Sequence, residues 1–227
     1  LANDATLQAD DGEEEGYHAI GDPTEGALVV AAARLGLWKA ELDRLFPRVG
    51  EVPFTSERKR MTTVHRVPQE AEVEDEAVDE LLASLPDSRH VVFTKGAVDT
   101  LVEISDRVWN QGQIEPLDAH WRERIERANN ELADQGMRVL GVAMRVPDVL
   151  PEGTDEETLE TKAIFIGLTG MIDPPRTEVR DAVAECRSAG IRPVMITGDH
   201  PLTALNIARD LGIARADGAR ERQVVTG

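Results

Sequence analysis

The chain has 227 residues, with 43 Asp and Glu against 25 Lys and Arg, a formal net charge of -18 and 41% apolar residues. That is enough for a real core in one large domain or one and a half, and the excess of acid argues against nucleic acid as a partner, because phosphate backbones bind surfaces rich in Lys and Arg. The lone Cys186 excludes a disulfide within the chain and implies a reducing compartment, and the longest apolar run, 27–33, is far short of the ~18 residues of a membrane span.

Residues 1–17 are acidic and aperiodic, and no element is predicted there. Asp22 has the character of a helix N-cap, with Pro23 at the first helical position and Glu25 closing a D-x-x-E capping box; the helix is expected to reach about Leu35 and stop at Gly36. Gly21 and Gly26 have the spacing of a phosphate-binding loop, but Ala27-Leu28 stands where Lys-Ser/Thr is needed, so a Walker-type site is excluded. Arg48 to Val52 and Met61 to Val67 have the β-branched content of paired strands. Between them, Pro53-Phe54-Thr55-Ser56-Glu57-Arg58-Lys59-Arg60-Met61 sets one aromatic at a strand end beside three cations. A nucleotide needs a flat apolar slab flanked by Arg or Lys, so Phe54 reads as an adenine platform with Arg58 and Lys59 near the phosphates. An ordinary hairpin with a core Phe and a solvated basic turn is the competing reading.

Downstream, 72–85 reads as an acidic amphipathic helix ended by Pro86, and His90 to Thr94 as a strand. Lys95-Gly96-Ala97 follows at a strand-to-helix turn, where Gly admits a ligand close to the backbone and Lys projects from a rigid edge. A helix is expected over 117–135, with Trp121, Ile125, Ala128 and Leu132 on one face, Trp121 as core and Gly136 as C-cap. Val139 to Val146 is predicted as a buried strand with Arg138 at its start, 147–162 as a surface loop and Ala163 to Met171 as a strand. Asp173-Pro174-Pro175-Arg176 ends extended structure and is assigned as a hinge. A helix over 177–189, a strand over 192–196, the turn Thr197-Gly198-Asp199 and a helix over 201–211 then compose one unit of a parallel α/β sheet, which binds ligands at the carboxyl ends of its strands. The acidic runs 69–80 and 151–160 lack the Gly and spacing of an EF-hand loop, and no metal site is assigned.

The stretches from Gly21 to Leu28, Pro53 to Met61, Lys95 to Ala97, Gly136 to Leu140, Met171 to Arg176 and Met195 to Asp199, in this order, resemble the cytoplasmic nucleotide-binding region of P-type cation-transporting ATPases over nearly the whole chain. The size of the region is closer to the calcium, sodium/potassium and proton branch than to the soft-metal branch. The resemblance implies an α+β nucleotide-binding domain over 1–171, an antiparallel sheet with packed helices, followed over 172–227 by a partial phosphorylation domain of haloacid-dehalogenase-like α/β type. It implies ATP as ligand, Glu25 lining the adenine pocket, Met61, Lys95 and Gly96 within the nucleotide site, Arg138 on a phosphate, and Thr197, Gly198 and Asp199 supporting the phosphoryl group. Val98-Asp99 and Ser56 depart from the family pattern, which bears on the ribose and polyphosphate contacts. The family's Asp-Lys-Thr-Gly-Thr nucleophile sequence and its Mg²⁺-holding Gly-Asp-Gly do not occur here. The chain is therefore expected to be an excised piece, monomeric and inactive alone. Mg²⁺ is expected only in the full-length protein, and the remaining phosphorylation, actuator and membrane domains of the same polypeptide are the expected partners, at the cytoplasmic side of a membrane. The alternatives are a soluble haloacid-dehalogenase-like phosphatase with a large cap and an acidic interaction module.

Overall fold

The computed structural model of the chain describes residues 1–9, 17–68, 88–147, 155–172, 176–196 and 201–214, with side chains for all of these except 9, 177 and 201–203. The chain divides into two compact units, Leu1–Arg124 with Leu140–Thr169, and Ile125–Val139 with Gly170–Gly227.

In the first unit, β1 (Thr6–Ala9) and β2 (Tyr17–Ile20) pair antiparallel. No element is legible over 1–17 in the sequence, because a four-residue strand has too little alternation to read against its acidic surroundings. Helix α1 (Pro23–Arg34) starts as expected: Asp22 Oδ1 accepts from the amides of Thr24 at 2.8 Å and Glu25 at 3.3 Å, with Pro23 in the first turn. A second helix, α2 (Lys39–Leu45), follows. Next in the chain come β3 (Arg48–Val52), β4 (Arg60–Arg66), β5 (His90–Gly96), α3 (Val98–Ile104), β6 (Ser105–Asn110), β7 (Gln113–Pro116), α4 (Ala119–Asp134), β8 (Arg138–Arg145), α5 (Glu156–Leu159) and β9 (Ala163–Met171), of which 125–139 and 170–171 belong to the second unit. The strands from β3 onward compose one seven-stranded sheet of order β3-β4-β5-β8-β9-β6-β7. The registered pairs are antiparallel except for β6 with β9, which makes the antiparallel-rich α+β fold expected from the sequence.

Strand β4 is buried from Met61 to His65, so both of its faces are covered. Alternation puts Met61, Thr63 and His65 on the face shared with their partners Lys95, Phe93 and Val91, and Thr62 and Val64 on the face shared with Thr94 and Val92. On the first face Phe46 and Val91 pack with Leu42, Leu45, Phe93 and Val146. On the second, Val52, Val64 and Val92 pack with Leu159. That last contact corrects the expectation of a surface loop over 147–162. Asp155 caps α5 by accepting from the Thr158 amide at 2.9 Å, and this single helical turn delivers Leu159 and Glu160 into the interior. Trp121 is likewise not a core residue. It is half-buried, its Nε1 donates to Glu115 at 3.1 Å, and the Arg124 guanidinium lies 4.7 Å from the ring centroid; Ile125 is the buried member of that face.

In the second unit, Gly136 (φ 80°) ends α4 in the left-handed conformation, with the Met137 amide donating to the Leu132 carbonyl at 3.2 Å. Helices α6 (Thr177–Ser188) and α7 (Pro201–Asp210) follow, and Val183, Leu205, Ala208 and Leu211 are buried. Residues 191–196 are not a strand: they make no ladder among the described residues, and Val194 and Ile196 are exposed. A strand is defined by its partners, which the apolar run alone does not reveal. The helix expected over 72–85, the turn Thr197-Gly198-Asp199 and Asp173-Pro174-Pro175 of the hinge lie outside the described residues.

Candidate functional site

Lys95 closes β5 opposite Met61 on one side and Val142 on the other, so the three side chains share one face of the sheet. Its ammonium is paired with Glu25 Oε1, and the two side chains are only 12% and 16% exposed. Glu25 stands in the first turn of α1, where its Oε2 also accepts from the Asp4 amide at 2.9 Å; its carbonyl accepts from Asn3 at 2.9 Å. A cation and a carboxylate 70 residues apart in sequence are thus brought together by packing the start of α1 over the end of β5. Met61 is buried beneath them in the sheet.

At the same end of the sheet, the turn from Pro53 to Lys59 joins β3 to β4. The Lys59 amide donates to the Thr55 carbonyl at 2.7 Å, and Lys59 itself has φ 52°. The Lys59 carbonyl accepts from the Ala97 amide at 2.9 Å, and a Cβ on Gly96 would stand 2.4 Å from that carbonyl oxygen. Gly96 is therefore needed for the close approach of the turn to β5. The turn carries Phe54 into solvent, 59% exposed, with Lys59 also exposed. An exposed aromatic on a pinned turn has no core to fill, so the hairpin reading with a core Phe does not describe this residue.

Arg58 and Arg60 take a different course. Both are directed to Glu160, whose carboxylate accepts from Arg58 Nη1 at 2.5 Å, Arg60 Nε at 2.6 Å and Thr62 Oγ1 at 2.8 Å. The side chain of Glu160 is 1% exposed and those of Arg58 and Arg60 are 13% and 15%. Nothing local in the sequence marks this carboxylate, which meets its partners from about 100 residues away. Arg138 lies in the second unit, exposed at the start of β8. Arg176 is exposed at the N-cap of α6. Among the described residues no three His, Cys, Asp or Glu side chains converge as a metal site would require.

One face of the sheet thus ends in a partly sheltered Lys–Glu pair, beside a turn that presents an aromatic ring and an exposed lysine to water. Residues 1–178 match the family model described as P-type ATPase, cytoplasmic domain N. The chain belongs to the P-type ATPase family through this N domain. The N domain here is 41% identical over 194 residues to "Calcium-transporting ATPase 1" of Bacillus cereus, a match covering 86% of this chain and 20% of the relative. It is 38% identical over 218 residues to "Calcium-transporting ATPase" of Bacillus subtilis, covering 96% and 22%. A sodium/potassium-transporting ATPase subunit alpha-1 of Oreochromis mossambicus is 35% identical over 200 residues, covering 85% and 18%. The N-domain chain therefore spans about a fifth of the length of these relatives. Among the described residues no helix is long and apolar enough to cross a membrane.

Proposed function

We propose that this chain binds ATP and presents it for phosphorylation of an Asp elsewhere in a cation-transporting P-type ATPase that sits in a membrane with this region on its cytoplasmic side. The observation that carries the proposal is the exposed Phe54 ring, held on a turn pinned at Gly96 and sharing one end of the sheet with Lys95. The ring offers a stacking face to adenine. Glu25, an acceptor, suits the exocyclic amino group of the base, and Lys95, already charge-paired, and the exposed Lys59 supply cations for the phosphates. Arg138 and the Thr197-Gly198-Asp199 turn are assigned to the phosphoryl side. The nucleotide-binding part is taken as 1–171, with the hinge at Asp173-Pro174-Pro175-Arg176 and part of the phosphorylation domain beyond it.

Phosphoryl transfer of this kind uses Mg²⁺ to neutralise charge on the phosphates. The described residues offer no cluster of three His, Cys, Asp or Glu fit to hold the ion. The chain's own contribution is binding and orientation, and with no Asp-Lys-Thr-Gly-Thr sequence in it no phosphate release by the isolated chain is expected. Stacking worth ~1–3 kcal/mol and one or two charge-assisted bonds of roughly 1.5–3 kcal/mol each, less the costs of association, give an affinity of about 0.1 to several mM. ATP titrated against backbone amide shifts tests this: saturable shifts centred on 53–60 and 95–97 are expected, and their absence at 10 mM ATP would overturn the proposal.

A further inference from the structure

We infer that Glu160 is a positioning residue for the adenine platform, fixing from the opposite face of the sheet the turn that carries Phe54. This rests on the ATP-binding reading above and assigns a role to a carboxylate that the reading does not use. Lys95 and Glu25 lie on one face of the sheet. Thr62 alternates to the other, and there Glu160 accepts its hydroxyl together with Arg58 and Arg60. The Arg58 fork is divided: Nη1 goes to Glu160, while Nη2 donates to the carbonyl of Pro53, the residue immediately before Phe54. Glu160, Arg58 and the Pro53 carbonyl thus compose one continuous tie from the interior to the root of the platform.

Two features make this tie stiff. Glu160 follows α5 directly, its amide donating to the Glu156 carbonyl at 2.9 Å, and Arg145 Nη1 on β8 donates to the Thr158 carbonyl at 2.5 Å, which holds that helical turn against the sheet. At the far end of the loop the Lys59 carbonyl is bound by the Ala97 amide. The loop is therefore anchored at both ends, and its middle leaves Phe54 in water. A ring 59% exposed gains little packing of its own, so its place depends on such anchors. A ligand meets a preset ring only where the supporting shell is locked by burial and hydrogen bonds. The two arginines are balanced by a carboxylate buried to 1% exposure, which gives the tie charge-assisted bonds in place of neutral ones.

The test is Glu160→Gln in the whole chain, titrated with ATP and, separately, with adenosine. The substitution keeps the volume and removes the charge that holds Arg58. Both ligands should bind roughly three- to tenfold more weakly, a smaller loss than that from removing the ring, because the ring stays present but is no longer preset. In a Phe54→Ala background the same substitution should cost nothing further, a non-additivity that a general loss of stability would not produce. Parent-like adenosine binding by Glu160→Gln, or fully additive losses, would overturn the inference while leaving the ATP reading intact. Parent-like binding by Phe54→Ala would overturn the ATP reading itself. Should Glu160→Gln fail to fold, Arg58→Lys carries the test: it keeps a cation for Glu160 but loses the second arm to Pro53, and the same loss for adenosine is expected. Parent-like binding by that variant would again overturn the inference.

Discussion

Phe54→Ala separates binding from folding, because the ring is largely exposed. A phenylalanine buries about 200 Å² in a core, and with 59% of this one exposed, less than half of that area is at stake. At ~25 cal/mol per Å² the upper bound on lost stability is about 2 kcal/mol, and the methyl left by Ala lowers it to about 1. Loss of a stacked base is worth ~1–3 kcal/mol, or about five- to 150-fold in affinity at 1.4 kcal/mol per factor of ten. The variant should therefore fold cooperatively in urea with a modest shift of midpoint while its ATP dissociation constant moves to tens of mM. Because the ring reads the base rather than the phosphates, adenosine should lose affinity by the same factor. Titrations of parent and variant with both ligands, followed by amide shifts, decide this. A loss confined to ATP, or no loss, would refute the stacking argument; a large loss of stability without a loss of adenosine binding would refute the claim that the ring is presented to solvent.

One substitution and one titration test the sheet that carries that turn. Gly96→Ala would set a Cβ 2.4 Å from the Lys59 carbonyl oxygen and 2.7 Å from the Arg60 Cα; because these neighbours are backbone, strain of roughly 1–3 kcal/mol is expected, read as a lowered urea midpoint, and an unchanged midpoint would refute the close approach. His65 is fully buried, with Nδ1 2.8 Å from the Phe46 carbonyl and Nε2 2.9 Å from Thr63 Oγ1. Burial lowers its pKa below 6.5, aided by the nearby Arg48 and opposed by the bond to Phe46. In the unfolded chain the ring takes its proton first, so the stabilising contribution is complete above about pH 6.5 and is lost as the pH falls from there through the lowered folded value. An imidazole titration in the folded chain with a midpoint at or above 6.5 would refute this.

Much of the fold was legible because it is written in local signals. Asp22-Pro23 is a helix start in any context, and the observed α1 begins there. The β-branched content of 61–67 marks a strand, as 90–94 does, and both lie inside the sheet rather than at its edges. Nine residues from Ala163 to Met171 form the strand expected of them. The lone aromatic in a basic, Pro-initiated stretch left two readings open, a ligand platform and a core Phe, and its exposure excludes the second.

What tertiary structure alone decided is where long side chains go once distant segments meet. Arg58 and Lys59 are equivalent in sequence terms, two adjacent cations in one turn. Yet the side chain of Lys59 stands in water, while Arg58 reaches a carboxylate 102 positions further along the chain. Glu160 belongs to an acidic run that composition reads as solvated; its burial depends on the Asp155 cap and on Leu159 finding Val52, Val64 and Val92. Trp121 and the run 191–196 fail in the opposite sense, apolar by composition but left partly or wholly exposed because no described element covers them. Periodicity and capping act over a few residues and survive in the sequence, whereas charge pairing and burial depend on which surfaces come together, and that information exists only after the chain has packed.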